Sequence, residues 1–136
     1  MSKVFKKTSL ILLAIAGLLL TANVAEAQPK LSPPKRLRNP ATVRGFIGGE
    51  SHDFYVVRAS KGQTLIVRLS WRREGDNQAS FSLIDSPDYY TKEPVKFGRE
   101  YDNGKRWVGR VPKSGDYYID VVAHPSARYT LRITVR

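Results

Sequence analysis

The last eight residues of the chain alternate without a break. Tyr129, Leu131, Ile133 and Val135 are apolar, and Thr130, Arg132, Thr134 and Arg136 between them are polar or charged. Successive side chains on a β-strand point to opposite faces, so a period of two means a strand with one face buried and one wet. The same pattern recurs in Leu65, Val67 and Leu69 set against Thr64, Arg68 and Ser70, in Tyr117, Ile119 and Val121 (with Val122 extending the run), and in Phe81 and Leu83 between serines. Tyr55 with Val57 and Trp107 with Val111 add two more pairs. No stretch from Ala41 onward has helical spacing, and Gly, Pro, Asn and Asp interrupt the runs. Half-buried antiparallel strands cover their apolar faces most economically against one another. The expectation is therefore an all-β chain, folded as an antiparallel two-layer β-sandwich of jelly-roll-like type. Ser60-Lys61-Gly62, Asp102-Asn103-Gly104 and Pro112-Lys113-Ser114-Gly115 read as hairpin turns, and residues 85–104 as the longest irregular stretch.

The front of the chain is different in kind. Lys3, Lys6 and Lys7 precede an uncharged apolar run from Leu10 to Leu20, and Ala25-Glu26-Ala27 follows as a small-residue step. This reads as a cleavable signal peptide over residues 1–27. Its apolar run is about half the roughly twenty residues that a membrane span requires. No cysteine follows the run, so no lipid anchor is expected, and the expected location is periplasmic or secreted. Residues 28–40, with Pro29, Pro33, Pro34 and Pro40 among Lys30, Lys35, Arg36 and Arg38, favour extended conformers and read as a solvated leader. Residues 41–136 then form a single sandwich domain.

Composition narrows the chemistry. The 136 residues contain no cysteine, which excludes disulfide scaffolds, thiol nucleophiles and cysteine-based zinc or iron–sulfur sites. Cleavage would remove three of the 23 basic and one of the 12 acidic residues, leaving a net charge of +9 on the exported part. Arg58, Arg68, Arg132 and Arg136 have wet-face parity, and Arg72-Arg73 sits beside Trp71 at a strand end, so a basic face is expected. Arginine suits bidentate capture of carboxylate or phosphate, and an aromatic beside it can stack on a sugar or base. Trp71, Arg72, Arg73, Tyr89, Tyr90 and Arg128 are the candidate partner-binding residues.

A catalytic site is not expected. Only His52 and His124 offer an imidazole. Ser51-His52-Asp53 contains the residue types of a hydrolytic triad, but neighbours on an extended segment point to opposite faces. Asp85, Asp88 and Asp102 with Asn103 could offer oxygen to calcium, yet they lack loop-motif spacing and read as turn residues. Glu74, Glu93 and Glu100 fall in predicted loops and take no catalytic role, and Gly48-Gly49 is a turn rather than a phosphate loop. No metal, no cofactor and no nucleic-acid partner is expected, since no reading motif is present and the chain is exported.

Two resemblances extend this reading. Gly49-Glu50-Ser51-His52-Asp53-Phe54-Tyr55 followed by Ala59-Ser60-Lys61-Gly62-Gln63-Thr64-Leu65 resembles the opening of bacterial pre-peptidase C-terminal (PPC) domains. Val111-Pro112-Lys113-Ser114-Gly115-Asp116-Tyr117-Tyr118 with Tyr129-Thr130-Leu131 resembles their closing hairpin. The family's central strand is matched only in part, by residues 79–83, without the acidic residues that accompany calcium sites in some members. The lysine-glycine-glutamine turn and the serine-glycine hairpin are also similar to those of periplasmic inhibitors of goose-type lysozyme. Those inhibitors carry a longer basic insertion in the last hairpin that serves lysozyme binding. Here residues 123–128 are short, with Arg128 their one arginine. Both resemblances imply a jelly-roll-like sandwich. Together with the charge, they imply an exported, non-catalytic binding module whose partner is an anionic polysaccharide or other envelope component, or a protein. As the alternative they imply an inhibitor of lysozyme.

Overall fold

The computed structural model describes residues 33–88 and 93–136. The expected signal peptide, the first part of the leader and the candidates Tyr89 and Tyr90 lie outside the described residues. Among the described residues nine strands follow in order: β1 (Lys35–Arg36), β2 (Ala41–Gly48), β3 (Asp53–Ala59), β4 (Thr64–Trp71), β5 (Gln78–Ile84), β6 (Gly98–Tyr101), β7 (Arg106–Arg110), β8 (Gly115–His124) and β9 (Ser126–Val135). They form a four-stranded sheet, β1-β3-β8-β5, and a five-stranded sheet, β2-β9-β4-β7-β6. Every pairing is antiparallel except that of β1 with β3. The protein is an all-β sandwich.

Alternation places the core where the residue pattern puts it. Leu65, Val67, Ile119, Val121, Leu131 and Ile133 are essentially inaccessible to solvent, and they belong to β4, β8 and β9, interior strands of the two sheets. Of the alternating apolar residues named above, Phe81 is half-buried and packs against the core, and the others are buried. One polar chain threads this interior: the Tyr129 hydroxyl donates to Asp53 and meets the hydroxyl of Tyr55. Burial pushes the phenol of Tyr129 up, assisted by its bonds to Asp53 and Tyr55, and burial pushes Tyr55 up as well. β2 passes close over this ring because residue 45 is glycine. A Cβ there would lie 2.5 Å from the Tyr129 hydroxyl.

Three features differ from the expectations. First, part of the leader is packed: β1 lies along β3, Leu37 is buried in the core, and the Arg36 guanidinium makes two bonds to Asp116, at 3.0 and 2.8 Å. That bond holds the Asp116 carboxyl below the ordinary carboxylate range. Asn39 then pins the end of the last strand, donating to the Val135 carbonyl at 2.6 Å and accepting from its N–H at 2.7 Å. One buried apolar residue, two side-chain bonding groups and backbone pairing with β3 dock a proline-rich segment that composition alone leaves in water.

Second, the irregular stretch 85–104 contains β6, a short edge strand with little burial. Third, of the three turns read as hairpins only Asp102-Asn103-Gly104 is one, joining β6 to β7 with Asp102 and Asn103 at φ 54°. Ser60-Lys61-Gly62 and residues 112–115 carry the chain from one sheet to the other. A glycine at positive φ, as at Gly62 (φ 88°), reverses the chain. It does not decide whether the next strand pairs with the last or crosses to the opposite layer.

Candidate functional site

The outer face of the five-stranded sheet is where the cations collect, and the strand register says how. Arg132 on β9 lies directly opposite Arg68 on β4, and Arg68 directly opposite Arg106 on β7. The row is closed by Thr42 on β2 at one end and Tyr101 on β6 at the other. Two residues along the strands, the facing positions are Arg44, Thr130 and Ser70. Two further along come Phe46 and Arg128, with the N–H of Arg72 bonded to the Arg128 carbonyl at 2.9 Å. Long side chains thus stand on both sides of a line of short hydroxyl residues.

The result is a trough. One groove of about 590 Å³ is lined by Arg44, Phe46, Trp71, Arg72 and Arg128, and a second of about 300 Å³ by Arg68, Asp102, Lys105, Arg106 and Arg132. They share Ser70 and Thr130, so the two grooves run together across the sheet. Aromatic rings brace the cations. The guanidinium of Arg128 sits 5.2 Å from the Phe46 ring, that of Arg106 4.6 Å from Tyr101, and the Lys105 ammonium 4.9 Å from Trp71. Phe46 is 61% exposed and lines the first groove beside Arg44 and Arg128.

Neutralising partners are few. Asp102 lies 3.5 Å from the Nε of Arg106, and Glu74 lies 3.7 Å from that of Arg72. The Nε of Arg106 is shielded from water and makes no hydrogen bond. Arg44, Arg68, Arg128 and Arg132 have no acidic side chain within salt-bridge distance among the described residues.

The structure brings some of the sequence candidates together and separates others. Trp71, Arg72 and Arg128 line the same groove. Arg73 lies on the far side of Trp71, in a smaller recess with Asn77, Gln78, Asn103 and Lys105. Arg68 and Arg132 share the five-stranded sheet, with Arg136 just past the end of β9 and bonded through its backbone to Thr64, but Arg58 belongs to β3 and faces Asp116 in the other sheet. Parity along a strand tells inside from outside and not which of two outer faces a residue joins. The sequence reading also missed Arg44, Phe46, Lys105 and Arg106. Arg44 and Phe46 do alternate on β2, but Gly45 between them has no side chain to complete the pattern.

The chemistry considered for catalysis is dispersed. His52 turns to Asp120, with Nδ1 at 2.9 Å from Oδ1, while Asp53 turns inward to Tyr129, so these chain neighbours do face opposite ways. Asp85 and Asp88 follow β5 in one sheet, whereas Asp102 and Asn103 form the hairpin turn of the other. Among the described residues no three acidic or histidine side chains come together to hold a metal ion, and no helix is long and apolar enough to cross a membrane.

No family model matches the chain, and no curated protein matches it. Solved structures do. The periplasmic inhibitor of g-type lysozyme from Aeromonas hydrophila (PliG) aligns with a TM-score of 0.58 at 21% identity, over 76% of this chain and 96% of its own. The PliG of Salmonella Typhimurium aligns at 0.52 and 23%, over 77% of this chain and all of its own. The pre-peptidase C-terminal domain of a Bacillus anthracis collagenase aligns at 0.56 and 18%, over 80% of this chain and all of its own. Both kinds of protein that the sequence motifs resemble are therefore built on the fold seen here.

Proposed function

We propose that this chain is an exported, non-catalytic binding module that holds an anionic partner in the trough on the outer face of its five-stranded sheet. The observation that supports this reading most directly is the register that sets Arg132, Arg68 and Arg106 side by side. Like charges directly opposite one another weaken a sheet. A bound anion relieves that repulsion, and planar guanidinium groups engage carboxylate or phosphate through paired hydrogen bonds. Partner-binding roles go to Trp71, Arg72 and Arg128, with Arg44, Phe46, Arg68, Arg106 and Arg132 added from the structure. The charged, apolar front of the chain supports action in the periplasm or outside the cell.

The test is binding of the purified protein to acidic polysaccharide, anionic vesicles and an acidic protein across a salt series. Affinity for the true partner falls steeply between low and moderate salt, and Arg68→Ala with Arg132→Ala removes most of it. Equal binding by that variant and the parent would sink the proposal.

A second reading, inhibition of lysozyme, is favoured by the near-complete span of both PliG structures that this fold reproduces. A lysozyme cleft lined by carboxylates would attract the same cations. Full activity of goose-type, chicken-type and invertebrate-type lysozymes at equimolar protein would dismiss it.

A further inference from the structure

The shape of the trough narrows the anion to one chemical class. We infer that it binds a linear acidic polysaccharide with a carboxylate on every sugar, lying across the strands; this rests on the binding-module reading above. Three features carry the assignment.

The first is spacing. Arg132, Arg68 and Arg106 occupy adjacent strands at one register level, so their stems rise about one strand spacing, ~4.8 Å, apart. An extended chain of pyranose rings advances by a similar distance per ring. Successive rings of such a chain turn their carboxylates to opposite sides, so a carboxylate on every sugar serves both walls, Arg132, Arg68 and Arg106 on one side and Arg128 with Arg72 on the other, whereas a polymer charged only on alternate rings serves one wall and leaves the other unmatched.

The second is the floor. Ser70 and Thr130 lie on the line between the two cationic walls, and hydroxyls both donate and accept. A sugar ring edge can descend between the walls to meet them. A membrane surface rests on the arginine tips and does not reach the hydroxyls.

The third is the ends. Phe46 and Tyr101 are both well exposed, at 61% and 42%, and each carries a guanidinium over its ring. Each offers a flat apolar face to the C–H face of a sugar beside a cation for its carboxylate. From β2 to β6 the trough crosses four strand spacings, ~19 Å, which accommodates about four rings.

The experiment is calorimetric titration of the purified protein with oligogalacturonides of increasing length, alongside hyaluronan fragments (a carboxylate on every second ring), neutral galactan and phosphatidylglycerol vesicles. Affinity for oligogalacturonide should rise up to about three or four rings and then level off, with hyaluronan fragments of the same length about tenfold weaker. Arg68→Gln with Arg132→Gln should lose about tenfold or more, whereas Arg58→Gln in the other sheet should bind as the parent does. Ser70→Ile fills the floor without changing the charge and should also weaken binding; its melting curve reports whether the fold is intact.

Undiminished binding by a folded Ser70→Ile variant, or equal affinity for both acidic polymers, would mean diffuse charge attraction and overturn the assignment. Binding to vesicles alone, or inhibition of lysozyme without oligogalacturonide binding, would overturn the ligand class and leave a binding module. Failure to bind any anion at low salt would overturn both.

Discussion

Arg68 stands between two like charges, and replacing it should make the protein more stable while weakening anion binding. It faces Arg132 on one side and Arg106 on the other, and like pairs directly opposite in a sheet cost roughly 0.2–1 kcal/mol each. Asp102, 3.5 Å from Arg106, already softens one of these repulsions, so the Arg132 pair carries the larger share. Arg68→Glu turns both contacts from repulsive to attractive. Discounting for exposure, the gain is about 1 kcal/mol at low salt. For a domain of roughly 100 residues this raises Tm by about 4–8 °C. The charges lie closer together than the ~10 Å screening length at 0.1 M salt but not the ~3 Å length at 1 M, so the gain should shrink as salt is added. Arg68→Thr, which removes charge and keeps a good strand former, should show about half the effect. Thermal melts followed by circular dichroism at both salt concentrations are the assay. A Tm for Arg68→Glu at or below the parent's at low salt, or a gain unchanged in 1 M salt, would refute the repulsion argument.

Other consequences concern the core and its pins. Gly45→Ala sets a Cβ 2.5 Å from the Tyr129 hydroxyl and should cost about 1–3 kcal/mol in urea unfolding. Gly115→Ala, where a Cβ meets nothing within 4 Å, is the comparison, and equal losses would count against the close approach of β2. Asn39→Ala removes both bonds to Val135 and should cost about 1–2 kcal/mol, with hydrogen exchange accelerating at the end of β9; no loss would mean that the segment before β2 does not hold the last strand. Tyr55, Tyr117 and Tyr129 are all pushed above the ordinary phenol range, chiefly by burial. Unfolded tyrosines release their protons near pH 10 while these three keep theirs. Their contribution to stability is therefore complete below about pH 10 and is lost as pH rises beyond it. Phenolate absorbance should then appear in two stages, the second coinciding with loss of near-ultraviolet dichroism. A single ordinary titration of all seven tyrosines in the folded protein would contradict this.

The strands that the residue pattern missed are all at sheet edges. β1 and β2 are edges of the two sheets, and β6 is the remaining edge of the five-stranded one. An edge strand is paired on one side only and buries less, so its residues need not alternate. Gly98-Arg99-Glu100-Tyr101 is largely exposed and reads as loop, and β2 exposes Phe46 where alternation would place a polar residue. Interior strands had no such freedom. β4, β8 and β9 are flanked on both sides and covered by the opposite layer, and their alternation was plain in the residues themselves.

What the sequence determined alone was whether each alternating residue faces the core or water, because strand geometry ties side-chain direction to position with a period of two. From that followed the sandwich, most of its core, and the wet-face parity of Arg68 and Arg132. Tertiary structure decided which strands became neighbours. Turn residues reverse the chain and do not choose the next partner, so residues 60–62 and 112–115 crossed between sheets where hairpins were expected. Arg58 went to one outer face and Arg68 to the other for the same reason. The trough is a product of register across five strands, of which only β6 and β7 are neighbours in sequence, and only their pairing set Arg132, Arg68 and Arg106 in a row beside the hydroxyls of Ser70 and Thr130.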